Sequence, residues 1–170
     1  IVFGDWSSDV CSSDLLTMRA VVQRCSDASV TVEKDGDPYV SGAIDQGLLV
    51  YLGVGKDDGG QDAAYLADKI AHLRIFMDSE QKMNLSVLDM GYSILAVSQF
   101  TLFADSRKGR RPSYSEAAEE NLARRLYEEF CACLGGFGLM VEKGVFKEIM
   151  KVRYVNEGPV TVLLDSKKMF

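Results

Sequence analysis

Histidine is nearly absent from this sequence, and its scarcity excludes several kinds of catalytic site. His72 is the single histidine among 170 residues, so a metal site with several imidazole ligands cannot form. A Ser-His-Asp or Cys-His device would depend on His72, which lies in a segment with helical spacing and is more typical of a helix surface. No Gly-x-Ser-x-Gly motif is present either. We therefore expect no metal site.

Cysteine, long apolar runs and excess positive charge are scarce as well. Once Cys11 is set aside with the N-terminal segment, Cys25, Cys131 and Cys133 remain, and an odd number suits a reducing cytoplasm. No apolar run approaches the ~20 residues of a membrane-spanning helix, so we expect a cytoplasmic protein that does not bind membranes. The net charge of −6 argues against a generally basic nucleic-acid-binding protein, although one local basic patch exists.

Residues 1–17 differ in character from the rest of the chain. They contain Ser-Ser-Asp twice, no lysine or arginine and no periodic apolar face. A signal peptide needs a basic start and an apolar core, and this segment has neither. We interpret residues 1–17 as a non-native or spurious leader and residues 18–170 as a single domain, for which the length is sufficient.

The chain after residue 17 alternates strand-like runs with two long helical patterns. Ala28 to Glu33 places apolar and polar side chains on alternate faces, and the turn residues at 34–38 predict a hairpin. Leu48 to Val54 is nearly continuously apolar, which predicts a strand buried on both faces. Strands are predicted at Arg19–Arg24, Ala28–Glu33, Tyr39–Ile44, Leu48–Val54, Tyr92–Leu102, Gly138–Lys143, Met150–Val155 and Val160–Leu164. Helices are predicted at Gln61–Phe76 and from a Ser115 cap to Gly135. Residues 78–88 are predicted to be a polar connection. Together they predict an α+β domain whose helices cover sheet layers.

Two polar segments are candidates for chemistry. Ser98-Gln99-Phe100-Thr101-Leu102 continues an apolar strand, and its polar groups need partners wherever they are buried. The pattern fits a strand with one solvated face as well as it fits a pocket wall. A flexible cationic loop follows, with Arg107, Lys108, Arg110 and Arg111 around a glycine. Such a loop suits phosphate groups, and a solvated run of charge is the alternative.

A third candidate lies near the C-terminus, where Asn156-Glu157-Gly158-Pro159 interrupts a strand pattern. Proline gives no N–H to a sheet, and glycine allows a ligand or another chain to come close. The break therefore leaves main-chain carbonyls bare, although an ordinary turn fits the same spacing. Because only ~5–6% of X–Pro bonds in folded proteins are cis, the pattern alone does not predict a cis Gly158–Pro159 bond.

These motifs carry a resemblance that runs from Met18 to about Ser166. In that span the chain resembles the bacterial type of D-aminoacyl-tRNA deacylase. The motifs that define the family are Ser98-Gln99-Phe100-Thr101-Leu102 and Asn156-Glu157-Gly158-Pro159-Val160-Thr161. Further matches are Gln23-Arg24, Ala28-Ser29-Val30, Gly47-Leu48-Leu49-Val50, Leu52-Gly53-Val54, Arg74-Ile75-Phe76, Lys82-Met83-Asn84-Leu85, Gly109 and Arg111-Pro112-Ser113.

The resemblance implies a homodimeric, cofactor-free hydrolase that removes D-amino acids, and mischarged glycine, from tRNA. Its fold would be a three-layer β/β/α sandwich with mainly antiparallel strands and two main helices. The Gly158–Pro159 bond would be cis and would reach into the active site of the other subunit, where its carbonyls exclude an L side chain. The expected partner is the 3′ acceptor end of aminoacylated tRNA, and no DNA partner is expected.

The resemblance also assigns roles to residues of this chain. Backbone N–H groups near Phe100 and Thr101 would hold the oxyanion. The sequence offers no base to activate Thr101 as a nucleophile. The resemblance instead implies that the terminal 2′-hydroxyl of the RNA assists an attacking water. The catalytic residues would be Ser98, Gln99, Phe100 and Thr101; the substrate-binding residues Leu102, Asn156, Gly158 and Pro159; and the RNA-binding residues Arg107, Lys108, Arg110 and Arg111.

Three departures from the family pattern affect expectations about the pocket. Glu157 replaces the usual Asp, Lys143-Gly144-Val145-Phe146 replaces Thr-Gly-x-Phe, and Lys147-Glu148 replaces small residues. Pocket shape or substrate range is therefore expected to differ.

Two other functions stay open: a nucleic-acid-binding protein of the same fold without hydrolysis, and a small-molecule hydrolase that uses Thr101. The first predicts binding without turnover, and the second predicts hydrolysis of free D-amino acid esters without RNA.

Overall fold

A six-stranded mixed sheet, a separate two-stranded sheet of Phe76–Met77 and Met83–Leu85, and three α-helices form the part of the chain that the computed structural model describes, residues 17–169. The proposed leader lies outside the described residues except for Thr17. That residue is buried, and its hydroxyl lies 3.0 Å from the Ser166 hydroxyl. The strands are β1 (Arg19–Lys34), β2 (Asp37–Ile44), β3 (Gly47–Gly53), β4 (Phe76–Met77), β5 (Met83–Leu85), β6 (Ser93–Ser98), β7 (Val141–Lys143) and β8 (Met150–Asp165), and the helices are α1 (Gly60–His72), α2 (Val87–Met90) and α3 (Glu120–Gly136).

The long strand β1 organises the sheet. Its first half pairs with β3 and its second half with β2, whereas β8 runs along its length, and these pairings are all antiparallel. β3 and β6 pair in parallel, as do β6 and β7. The parallel pair β3–β6 requires a long crossover connection, which α1 and α2 provide. An α+β fold is confirmed, with a sheet that is mixed.

The central strands are buried on both faces, as the sequence predicts for Leu48–Val54. Alternate residues of β3 and β6, such as Leu48 and Ile94, pack in a core with α1 and α3. The intervening residues, such as Leu49 and Leu95, pack in a second core with the later part of β1. The buried residues of both cores are at most 8% exposed, and each buried leucine or isoleucine contributes about 1.5–3 kcal/mol relative to exposure.

Several predicted elements are corrected by the structure. The helix predicted at Gln61–Phe76 ends at His72, and Phe76 begins β4. Residues after Ser98 turn into a 3-10 helix, Phe100–Phe103, and do not continue the strand. α3 begins later than expected, because Glu119 and not Ser115 is its N-cap and accepts from the N–H of Leu122. The connection at 78–88 contains β5 and the start of α2. The two predicted C-terminal strands form one strand, β8, that bulges near Gly158.

A buried carboxyl near the start of α1 makes stability depend on pH. Asp58 is 6% exposed, and its Oδ2 accepts from the N–H of Gly55 at 2.6 Å. Burial raises the pKa of Asp58 to about 6, Asp62 adds to the rise, and the Gly55 N–H and Lys167 oppose it. The folded state binds the Asp58 proton more tightly than the unfolded chain does. This proton therefore contributes its full share to the free energy of unfolding below about pH 4, and the contribution is lost as pH rises through about 6.

We therefore expect Asp58→Asn to gain stability relative to the parent chain as pH rises from 4 to 7. The gain is bounded by about 3 kcal/mol from the size of the shift. Thermal or urea unfolding of both chains across that range measures it. Asp57→Asn is the control, because Asp57 is an exposed neighbour. A constant difference between Asp58→Asn and the parent at all pH values would contradict the assignment.

Candidate active site

The Ser98–Leu102 segment is fixed where β6 ends beside β3. The N–H of Gln99 donates to the carbonyl of Leu52 at 2.8 Å, which continues the sheet for one more residue. A Cβ on Gly53 would lie 2.9 Å from the Leu102 Cβ, so only glycine lets the 3-10 helix pack this closely. Arg19 Nη1 donates to the Leu102 carbonyl at 2.8 Å, and its guanidinium lies 4.7 Å from the centre of the Phe103 ring. The segment is therefore held by β1 and β3.

Polar groups of this segment are arranged around the Thr101 hydroxyl. Gln99 Nε2 donates a hydrogen bond to Thr101 Oγ1, and both side chains are at the surface or close to it. Because Oγ1 accepts this bond, its own proton is available for donation to another group. The first N–H groups of a helix have no acceptor inside the helix, and here they belong to Phe100 and Thr101. The segment therefore presents several donors at one surface.

A pocket of about 510 Å³ lies against this segment. Ser98, Gln99 and Phe100 form one side of the pocket, and α3 contributes Glu120 and Ala123. The remaining lining is mainly apolar: Val54, Val97, Ala118, Phe146, Lys147, Glu148, Met150 and Val152. Its volume falls in the range of small-molecule sites, roughly 300–1,000 Å³. A mainly apolar pocket beside a cluster of donors can take a flat organic group and a polar ester.

Residues 146–148, in the segment that departs from the family pattern, form one wall of this pocket, whereas Lys143 and Glu157 do not line it. Phe146, Lys147 and Glu148 line it, and Lys147 has a left-handed backbone conformation with φ of 70°. The Lys147 ammonium bonds Glu120, and Arg124 lies 4.6 Å from the centre of the Phe146 ring. The Lys147 and Arg124 contacts lower the pKa of Glu120. This wall is thus attached to α3 by an ion-pair network.

The Gly158–Pro159 motif does not line that pocket. It bulges from β8 opposite Arg24, between the pairs Cys25–Asn156 and Gln23–Thr161, and its peptide bond is cis. Through β3, Ser98 aligns with Ala20 on β1. Ala20 and Arg24, which lies opposite the bulge, are four residues or roughly 13 Å apart along β1. Strands β1 and β3 also lie between the two motifs. Within one chain they are therefore separate.

The buried Arg24 and the half-buried Asn156 hold the bulge in place. Arg24 is 8% exposed and donates from Nε to the Glu157 carbonyl at 3.2 Å and from Nη1 to the Ile75 carbonyl at 2.7 Å. Asn156 accepts from the N–H of Val160 and donates to the Thr161 hydroxyl, both at 3.2 Å. Gly158 and Pro159 are exposed. The bulge is thus a rigid, outward-facing projection.

The basic loop is closed at its base by a pair of main-chain bonds. Asp105 and Ser113 exchange N–H to carbonyl bonds of 2.8 and 2.9 Å. Arg107 Nη2 forms an ion pair with Asp105 Oδ2 at 2.7 Å. Hydrogen bonds from Arg107 lower the pKa of the Asp105 carboxyl to about 2. Lys108, Arg110 and Arg111 are exposed and make no ion pair among residues 17–169. Three of the four predicted RNA-binding side chains are therefore available to a ligand.

Sequence reasoning missed the residues that position the site. Arg19 belongs to no motif, and Arg24 enters only the family match Gln23-Arg24, with no role assigned; each acts on a segment far away in sequence. Arg24 shares the buried face of Ala20 and Val22, and that spacing is the one signal in the sequence, since a nearly buried arginine needs acceptors. His72 is exposed, as expected, and does not line the pocket. Among the described residues, no group of acidic, cysteine or histidine side chains has the geometry of a metal site.

Comparison with known proteins identifies the family. The family model for D-Tyr-tRNA(Tyr) deacylase matches residues 21–165. A D-aminoacyl-tRNA deacylase of Koribacter versatilis is 60% identical over 153 residues, which cover 90% of this chain and 100% of the relative. One of Alkaliphilus metalliredigens is 56% identical with the same coverage.

Solved structures agree on the fold. A structure described as c-Myc DNA Unwinding Element Binding Protein is 37% identical with a TM-score of 0.77, covering 86% of this chain and 97% of that one. A probable eukaryotic D-amino acid tRNA deacylase has a TM-score of 0.74 at 19% identity, covering 88% of this chain and 99% of that one, and shows the fold alone. With the family model matched over nearly the whole domain, this chain belongs to the D-aminoacyl-tRNA deacylase family of hydrolases.

Proposed function

We propose that this chain hydrolyses the ester bond of D-aminoacyl-tRNA, and of mischarged glycyl-tRNA, and releases the amino acid. The observation that carries the proposal is a group of donors at a pocket large enough for an aminoacyl nucleoside: Gln99 and Phe100 line the pocket, and Thr101 lies next to its lining, bonded to Gln99. Loss of the ester requires an oxyanion site and a positioned water, and an aminoacyl ester is reactive enough for modest catalysis.

The chain's own residues divide the chemistry between them. The N–H groups of Phe100 and Thr101 stabilise the oxyanion, a contribution of about 2.7–4 kcal/mol per donor in other enzymes. The Thr101 hydroxyl donates to the substrate, because Gln99 already occupies its oxygen as a donor. Water attacks the ester carbon with assistance from the terminal 2′-hydroxyl of the RNA, and the bond to the tRNA oxygen breaks. Ser98 lines the pocket beside these donors, and Leu102 contacts the substrate in this proposal.

Chiral selection belongs in this proposal to a second copy of the chain. Gly158 and Pro159 project outward and lie apart from the pocket of their own chain, so they act in the pocket of a homodimer partner. The outer edge of β8 pairs with no strand among residues 17–169, and Val155 and Leu163 on this strand are more than half exposed. Long free edges favour pairing with another chain. The two buried cores fit three β/β/α layers in each subunit.

Hydrolysis of D-tyrosyl-tRNA beside L-tyrosyl-tRNA tests the function, using residues 18–170 as well as the full chain. We expect loss of the D ester at least a thousandfold faster than loss of the L ester, a difference of about 4 kcal/mol. Free D-tyrosine methyl ester is the control for a small-molecule hydrolase. Equal rates for both tRNA esters, or turnover confined to the free ester, would reject the proposal.

Binding without hydrolysis is the second candidate, since one similar structure is described as a DNA-binding protein. The same assay separates the two functions when binding of uncharged tRNA and of duplex DNA is measured in parallel. Tight DNA binding with no loss of D-tyrosyl-tRNA would favour the second candidate.

A cytoplasmic location fits a tRNA substrate. None of the helices in the described range is long and apolar enough to cross a membrane.

The basic loop offers a test of RNA contact. We expect the triple change of Lys108, Arg110 and Arg111 to glutamine to weaken tRNA binding and to reduce the slope of log affinity against log salt by about 0.7–0.9 per lost contact. The measurement is filter binding at several salt concentrations. Arg107→Gln is the comparison, because Arg107 is already paired with Asp105 and should cost less. An unchanged slope in the triple variant would place the RNA elsewhere.

A further inference from the structure

A pair of exposed aromatic rings joins the pocket to the basic loop. Phe100 lines the pocket and is 57% exposed, and its ring centre lies 5.1 Å from that of Tyr114, which is 38% exposed. Tyr114 directly follows Ser113, which closes the basic loop against Asp105. Pocket, aromatic pair and cationic loop are therefore consecutive features of one surface.

The two rings contact each other at an angle of 66°, and both remain exposed. Large apolar side chains on a surface commonly mark a binding site when they cluster. Unpaired nucleic acid is bound by aromatic side chains that stack on bases, flanked by cations that contact the backbone. Lys108, Arg110 and Arg111 supply such cations without a competing ion pair in the described part of the chain. The charge and the rings thus match one type of ligand.

We propose that Phe100 and Tyr114 form a stacking platform for the base that precedes the terminal nucleotide in the unpaired 3′ tail of tRNA. The proposal rests on the proposed function, which puts the terminal aminoacyl nucleoside in the pocket. The preceding base then leaves the pocket beside Phe100, and its phosphate points toward the basic loop. Stacking uses the face of the base, so the platform accepts any base and rejects an abasic residue.

The test is a double-mutant cycle in which the Tyr114 ring and the penultimate base are removed separately and together. A labelled single-stranded RNA pentanucleotide is prepared with a normal or an abasic penultimate position, and its dissociation constant is measured for the parent chain and for Tyr114→Leu. The abasic change should weaken binding to the parent about tenfold and binding to Tyr114→Leu less than about twofold. Tyr114→Phe keeps the ring and should behave as the parent. Exchanging one normal base for another should change affinity by less than about threefold.

Phe137→Leu is a matched control, because Phe137 is 40% exposed and makes a comparable edge contact with His72, 5.2 Å between ring centres, outside the pocket lining. It should keep the full abasic penalty. An equal penalty in the parent and in Tyr114→Leu would overturn the platform. Since the readout is binding of uncharged RNA, it does not depend on turnover. A parent chain that fails to hydrolyse D-tyrosyl-tRNA would reject the proposed function and leave this cycle interpretable.

Discussion

Gly158→Ala is expected to lower kcat/KM for D-tyrosyl-tRNA about a hundredfold while the chain still folds. Gly158 has φ of 125°, a region that side chains rarely adopt. A Cβ there would lie 2.8 Å from Val160 Cγ2 and 3.0 Å from Arg24 Nη2. Arg24 is buried and bound to two carbonyls, so the bulge must move instead. A displacement of about 1 Å at a positioning group costs roughly 10²-fold in rate.

The D-to-L ratio should fall in the same variant. If the Gly158 and Pro159 carbonyls exclude L side chains, moving them relaxes the exclusion while it disturbs productive binding. Gly36→Ala is the matched control: Gly36 also has a positive φ, 88°, but a Cβ added there would meet no atom within 4 Å, and it lies in the turn between β1 and β2. Gly36→Ala should cost stability and leave the ratio unchanged. Full activity with an unaltered ratio in Gly158→Ala would remove this motif from chiral selection.

The periodic parts of the fold could be predicted from the sequence because each has its signal within a short window. The alternation in Ala28–Glu33 and the apolar run Leu48–Val54 record which faces are buried, and both lie in strands as expected. The helical spacing of Leu66 and Ile70 records the face of α1 that meets the core. Local patterning was therefore enough to predict these elements.

The candidate site could be predicted only in part, because its geometry depends on distant residues. Ser98 to Leu102 alternates polar and apolar side chains and fits a strand, yet the strand ends at Ser98 and a 3-10 helix begins at Phe100. The space left by Gly53 and the hydrogen bond from Arg19 select that conformation. Ser115 has the right chemistry for a cap, but the Ala118 N–H bonds the Val54 carbonyl, which holds the chain extended beyond it. Tertiary contacts overrode local preference in both places.

Thr101→Val is expected to lower kcat/KM for D-tyrosyl-tRNA about 10- to 100-fold without abolishing turnover. The change keeps the shape of the side chain and removes a hydroxyl that accepts from Gln99 and is free to donate. A hydrogen bond to a group that gains charge contributes about 1.5–3 kcal/mol, which corresponds to this range. Thr101→Ser retains the hydroxyl and should recover most of the rate. Single-turnover hydrolysis measures all three chains.

A 2′-deoxy terminal adenosine in the tRNA decides between a positioning role and a nucleophilic role for Thr101. If the 2′-hydroxyl assists the water, its removal should slow the parent chain by about 10²–10⁴-fold, the usual contribution of general acid–base assistance. If Thr101 attacks the ester, the deoxy substrate should react nearly normally and a covalent acyl-Thr101 should accumulate, visible by mass spectrometry of the quenched reaction. His72 is exposed and lies outside the pocket lining, so it offers no nearby base to remove the Thr101 proton. The hydroxyl should therefore act as a hydrogen-bond donor, and loss of the 2′-hydroxyl should cost more than loss of the Thr101 hydroxyl.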